Sequence, residues 1–133
     1  MQWWAGILPL YLFAYPPGCY LSRMPDPAAQ LVLSTCPDRD TAERLARMLV
    51  GRRLAACVNI VPGLISVYRW QGAVQRDDEH LLLIKTNSER YSALETALRT
   101  EHPYELPEIV AVTITNGSTD YLRWITTELE ASP

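Results

Sequence analysis

Leu54 to Trp70 reads Leu-Ala-Ala-Cys-Val-Asn-Ile-Val-Pro-Gly-Leu-Ile-Ser-Val-Tyr-Arg-Trp. Strand-forming residues dominate this stretch. Gln71-Gly72 then offers a turn, and a second apolar run, Leu81-Leu82-Leu83-Ile84, follows. The pattern predicts a long hairpin. Pro62 falls inside the first arm and cannot donate to a ladder, so Pro62-Gly63 marks a bend or bulge between Ala56–Val61 and Leu64–Trp70. A hairpin of that length overruns a small domain, and its far end needs a partner.

The remaining elements fall on either side of it. Gln30 to Thr35 predicts a first strand. Asp40, three residues before Glu43, resembles the start of a capped helix. Ala42, Leu45, Ala46 and Leu49 continue it on one face, with Arg52 and Arg53 at its negative end. Asn87 or Ser88 can cap a second helix, with Tyr91, Leu94 and Leu98 on its apolar side, and Pro103 stops it by His102. Glu108 to Thr115 predicts a fourth strand. Asn116-Gly117 is a turn, and Ser118 can cap a last helix carrying Leu122, Ile125 and Leu129. Two strand-helix-strand units in tandem, plus a terminal helix, give an α+β ferredoxin-like order (βαββαβ). Right-handed crossovers place both main helices on one face of a four-stranded antiparallel sheet.

The other face poses a problem. An open antiparallel face shows polar residues at alternate positions. Here Leu31-Val32-Leu33, Ala55-Ala56-Cys57-Val58, Leu81 to Ile84 and Ile109-Val110-Ala111-Val112 are apolar without a break. Either the terminal helix covers that face alone, or several copies close around it. A helix of three turns spans only ~16 Å, so a closed homo-oligomer is the favoured expectation.

The chain has 133 residues, 48% of them hydrophobic and 20% charged, with a net charge of −3. That suits one globular domain and lacks the basic footprint of a nucleic-acid binder. The domain is expected over residues 30–133. Residues 1–29 form an apolar, Pro-rich extension outside it. The run from Trp3 to Tyr15 is too short to span a bilayer and lacks the basic start of a secretory signal. Met24 offers an alternative translation start, which leaves residues 1–23 either as upstream sequence or as a dispensable extension. Cys19, Cys36 and Cys57 have no metal-knuckle spacing and suggest reduced thiols in the cytoplasm.

Seven ordered blocks give the chain a more specific likeness. They are Leu54-Ala55-Ala56-Cys57-Val58-Asn59, Ile60-Val61-Pro62-Gly63, Tyr68-Arg69-Trp70-Gln71-Gly72, Ile84-Lys85-Thr86, His102-Pro103-Tyr104-Glu105, Pro107-Glu108 and Asp120-Tyr121-Leu122-Arg123-Trp124. In order and spacing they resemble the CutA family of divalent-cation tolerance proteins, from about Gln30 to Leu129. The resemblance implies a ferredoxin-like fold, a homotrimer akin to PII-type signalling proteins, and binding of copper or another divalent cation. In bacterial members that binding is assigned to a cysteine near the end of the first strand and to histidines before the His-Pro-Tyr block. This chain departs from the pattern twice. Ser34 stands at the cysteine's position, with Cys36 two residues later, and Glu101-His102 replaces a histidine pair.

The candidate metal ligands are therefore His102, Glu101, Cys57, Cys36 and Ser34. Imidazole and carboxylate suit copper(II) or zinc, and thiolate suits copper(I). The structural alternatives are a helix-terminal His102 and a buried, inert Cys57. Asp78 and His80 share one side of a strand, as weak chelators or as a solvated face. Trp70, Lys85, Tyr104, Glu108, Tyr121 and Trp124 are the candidate ligand-cleft residues. In the family, several of these gather near a cleft between subunits, where a lysine with aromatics can hold a small anion. The alternative is that the tryptophans anchor an interface.

No Gly-rich phosphate loop, Gly-x-Ser-x-Gly or His-Glu-x-x-His motif is present, so the chain is not expected to be an enzyme. The aliphatic middle strands lack the aromatic and basic motif of RNA-binding relatives of this fold. Three functions follow: a trimeric, metal-binding tolerance protein; a PII-like sensor of an anion or metabolite; or a structural trimer with a protein partner, such as a membrane protein.

Overall fold

A computed structural model describes residues 26–130. Calls that fall on residues 1–25 lie outside the described residues. The elements run β1 (Ala29–Cys36), α1 (Arg39–Gly51), β2 (Cys57–Trp70), β3 (Ala73–Asn87), α2 (Tyr91–Glu101), β4 (Val110–Thr113) and α3 (Thr119–Leu129). The sheet order is β2-β3-β1-β4, and every pairing is antiparallel. This is the ferredoxin-like α+β arrangement expected from the sequence.

β2 and β3 form the long hairpin, closed by Gln71-Gly72. Both turn residues have positive φ, 49° and 80°, the left-handed geometry that matches the twist of the flanking strands. The register shifts between Val61 and Leu64, so Pro62-Gly63 is the bulge its chemistry demanded, with Gly63 at φ 77°. β1 pairs with β3 only from Asn87 back to His80. Beyond that point, among the described residues, Leu64–Trp70 and Ala73–Glu79 pair only with each other, as a two-stranded ribbon.

The helix ends differ in detail from expectation. Asp38, not Asp40, caps α1: its Oδ1 accepts the Thr41 N–H at 2.8 Å. Neither Asn87 nor Ser88 occupies the cap of α2, which falls to Arg90. Asn87 Oδ1 instead accepts the Arg90 N–H at 3.1 Å, one step earlier in the turn. Ser118 does cap α3 by position, without a side-chain bond. β4 is shorter than the apolar run, because only Gln30 to Leu33 of β1 face it.

Strand alternation divides the sheet into two faces. Val32, Cys36, Leu82 and Ile84 face α1 and α2 and form the main core with Leu45, Leu49, Leu94 and Leu98. Leu31, Leu33, Leu81, Leu83, Val61, Val110 and Val112 point the other way. α3 packs at one end of that second face, where Ile125, Leu129 and Ala56 form a separate small cluster. It covers only part of the face. Val61, Val110 and Val112 remain 41%, 50% and 51% exposed.

Candidate functional site

The end of β1, the end of α2 and the loop after it converge on one edge of the molecule. α2 stops at Pro103, which puts His102 at its C-terminal cap. His102 is 7% exposed. Its Nε2 lies 2.8 Å from the Thr35 carbonyl, and its Nδ1 accepts the Tyr104 N–H at 3.0 Å. Those partners fix the tautomer, with the proton on Nε2 donating to Thr35. Burial lowers the imidazole's pKa from its ordinary value of 6.5. Both ring nitrogens are thus occupied within the fold.

Tyr104 carries the network across to β3. Its hydroxyl donates to Glu79 Oε2 at 2.8 Å, and burial, followed by that carboxylate, raises the phenol's pKa. Glu79 is itself 6% exposed. Further out on the ribbon, Tyr68 donates to Asp77. An open groove of ≈ 910 Å³ runs between the ribbon and the loop after α2, with Tyr68, Trp70, Asp77, Glu79, Tyr104 and Glu108 among its walls. Among the described residues that line it, Arg69 is the one basic side chain.

The expected metal ligands do not come together. Glu101 lies beside His102 in sequence, but its carboxylate pairs with Arg44 at 3.6 Å and Arg52 at 3.7 Å. Ser34 and Cys36 are fully buried on the helix-facing side of β1. Burial, with the Asp38 charge nearby, pushes the Cys36 thiol up to about 11. Cys57 sits at the opposite end of the sheet, across from Lys85. Among the described residues, no group of three or more His, Cys, Asp or Glu side chains is placed to hold a metal ion. Among the described residues of one chain, then, these side chains do not assemble the divalent site that the resemblance implies.

The cleft residues divide in the same way. Trp70, Tyr104 and Glu108 line the groove. Lys85, Tyr121 and Trp124 gather at the other end. There Lys85 donates to Asn59, and the Tyr121 and Trp124 rings lie 5.4 Å apart on α3. Tyr121 abuts Cys57, and burial, then that thiol, raises the phenol's pKa. Both rings stay about two-fifths exposed, at 43% and 40%.

Of two residues that matter here, the sequence pattern does not single out Glu79 and favours a solvated face for His80. Glu79 reads as one more charge in Arg76-Asp77-Asp78-Glu79, and only the Tyr104 contact marks it. His80 reads as half of a solvated pair with Asp78. Asp78 is indeed exposed, beside Arg76, but His80 lies directly opposite Cys36 on β1, with its Nδ1 buried. The register between β1 and β3 carries that information, and neither strand's composition does.

A model of the CutA1 divalent ion tolerance protein family matches residues 30–128. A "Divalent-cation tolerance protein CutA" from Thermus thermophilus is 50% identical over 96 residues, which is 72% of this chain and 93% of that one. The CutA crystal structure from Xylella fastidiosa superposes with a TM-score of 0.76 at 48% identity, covering 77% of this chain and 99% of its own. CutA1 from Oryza sativa superposes with a TM-score of 0.77 at 40% identity, covering 80% and 98%. Relatives are named for different compartments: an Arabidopsis protein is called chloroplastic and an Archaeoglobus fulgidus one periplasmic. Matched span, sequence identity and superposed fold agree, and the chain belongs to the CutA1 family of divalent-ion tolerance proteins.

Proposed function

We propose that this chain works as a PII-like homotrimer that binds divalent cations, copper among them, and catalyses no reaction. One observation carries the reading: an apolar sheet face that α3 covers at one end only, beside a ribbon that extends past the sheet. Such a face calls for further copies of the chain to bury it. Because no site of three ligands forms among the described residues of one chain, cation binding is assigned to the assembled protein. There, His102, Glu101, Cys57, Cys36 and Ser34 are the residues to test. The family's naming for cation tolerance supports the cation, and its lack of a reaction name supports the absence of catalysis. The proposed compartment is the cytoplasm, which keeps thiols such as Cys36 and Cys57 reduced.

The test joins mass to binding. Sedimentation equilibrium of the full chain is expected to give three copies. Calorimetric titration with copper(II) and zinc is expected to saturate, and to weaken in His102→Ala and Cys57→Ser. A folded single subunit at micromolar concentration, or no saturable binding, defeats the proposal.

The groove favours a second reading, a sensor of a small ligand. Its aromatic walls suit a flat or cationic molecule. Its carboxylates argue against the anion first expected there, and Lys85 lies at the other end of the sheet. A thermal-shift screen of nucleotides, amines and other metabolites tests it. A shift abolished by Tyr104→Phe supports this reading, and a shift abolished by Lys85→Ala alone returns the site to the other end.

A further inference from the structure

The charged run Arg76-Asp77-Asp78-Glu79 lies on the outer half of β3, and strand alternation sends its members to two faces. Arg76 and Asp78 share one face and pair at 3.6 Å. Asp77 and Glu79 share the other, which is a wall of the groove. Neither they nor Glu108, the third carboxylate of the groove, takes part in an ion pair among the described residues. Arg69 lies out by the hairpin turn, opposite Val74, and forms no ion pair either. The side-chain donors to Asp77 and Glu79 are neutral phenols, Tyr68 and Tyr104. Glu79 is only 6% exposed. A buried carboxylate is ordinarily paired with a positive charge or bound to a cation. This one lines an open groove with neither.

We propose that the groove binds a linear aliphatic diamine or polyamine, with one ammonium group on Glu79 and a second on Asp77. This deepens the small-ligand reading given above and rests on it. Spacing and surroundings select the class. The two carboxylates stand two strand steps apart, ~7 Å along β3, which suits two ammonium groups joined by a short alkyl chain. A bare metal ion asks for more oxygen ligands than that, and among the described residues no group of three metal-ligating side chains forms. Tyr68 and Trp70 add aromatic faces to the groove, and an ammonium group is attracted to such faces. Ile65, Val67 and Leu106 line it as well and are each more than half exposed. They offer the methylene chain apolar surface to cover. The phenols hold both carboxylates in place before a ligand arrives, which lowers the ordering cost of binding.

The test is calorimetric titration of the full chain, free of added metal, with putrescine and with spermidine. Saturable binding of one molecule per chain is expected. Butylamine, which carries a single ammonium group, is expected to bind at least about tenfold more weakly. Glu79→Gln keeps an acceptor oxygen for Tyr104 and removes the charge. It is expected to preserve the fold by circular dichroism and to weaken both polyvalent amines at least about tenfold. Asp77→Asn, at an exposed position, is expected to do the same. Glu105→Gln removes a charge outside the groove lining and is expected to leave binding unchanged. No saturable binding of either amine, butylamine bound as tightly as putrescine, or equal losses from Glu79→Gln and Glu105→Gln overturns the site. Should the amines fail while a ligand of another class gives a thermal shift that Tyr104→Phe abolishes, the sensor reading survives and the amine site alone is overturned.

Discussion

Each ring nitrogen of His102 has a partner on a different segment: Thr35 on β1 and Tyr104 in the loop after α2. Removing the ring leaves a carbonyl and an N–H unpaired in a buried place. His102→Ala is expected to cost about 2–3 kcal/mol in urea unfolding, and its effect on metal binding must be read against that loss. The pH dependence has a definite sign. Burial holds the folded imidazole's pKa below the 6.5 of the unfolded chain, so the unfolded state takes up its proton first as pH falls. Stability from this residue is complete above pH 6.5, declines below it, and stops declining once the folded ring also protonates. Urea midpoints of metal-free protein at descending pH check this, and His102→Gln is expected to flatten that part of the curve. The sequence places His102 at a helix end and leaves it either structural or ligating. The long-range contact to Thr35, which settles its surroundings, has no local signature.

At the scale of elements, the hairpin is legible because proline, glycine and alternation all agree on it. Pro62-Gly63 gives the bulge, Gln71-Gly72 the turn, and the apolar run Leu81–Ile84 the inner half of β3. The outer half, Ala73 to Glu79, carries no continuous apolar run, and its pairing with β2 defines it. Gln71 sits at φ 49°, a geometry that asparagine tolerates better. Gln71→Asn is expected to raise stability by about 0.5 kcal/mol, and Gly63→Ala, forced to φ 77°, to lower it by about 1 kcal/mol. Both are measurable by thermal melting. α3 holds its end of the sheet through few residues. Ile125, 1% exposed in that small cluster, is expected to cost about 2–4 kcal/mol when cut to alanine.

For the whole molecule, composition alone announces a sheet with two apolar faces, and the structure leaves one of them largely bare. Val110 and Val112 lie outside the main core cluster and are about half exposed. Val112→Asp is accordingly expected to leave the fold of one subunit intact by circular dichroism and to break the assembly in sedimentation. The site is less legible than the fold. Its residues arrive from β1, β3 and the loop after α2, and their meeting depends on a register that no motif encodes. The His-Pro-Tyr block marks the neighbourhood, but Glu79 and His80 enter it only through pairing.

Among the described residues, the outer ribbon, Leu64–Trp70 against Ala73–Glu79, has no third strand to lean on. Two strands alone are barely stable in water. Its backbone amides are therefore reporters of company: in a lone subunit they should trade hydrogen for deuterium almost as fast as a loop, and docking against a neighbour should slow them while β1 stays protected in either state.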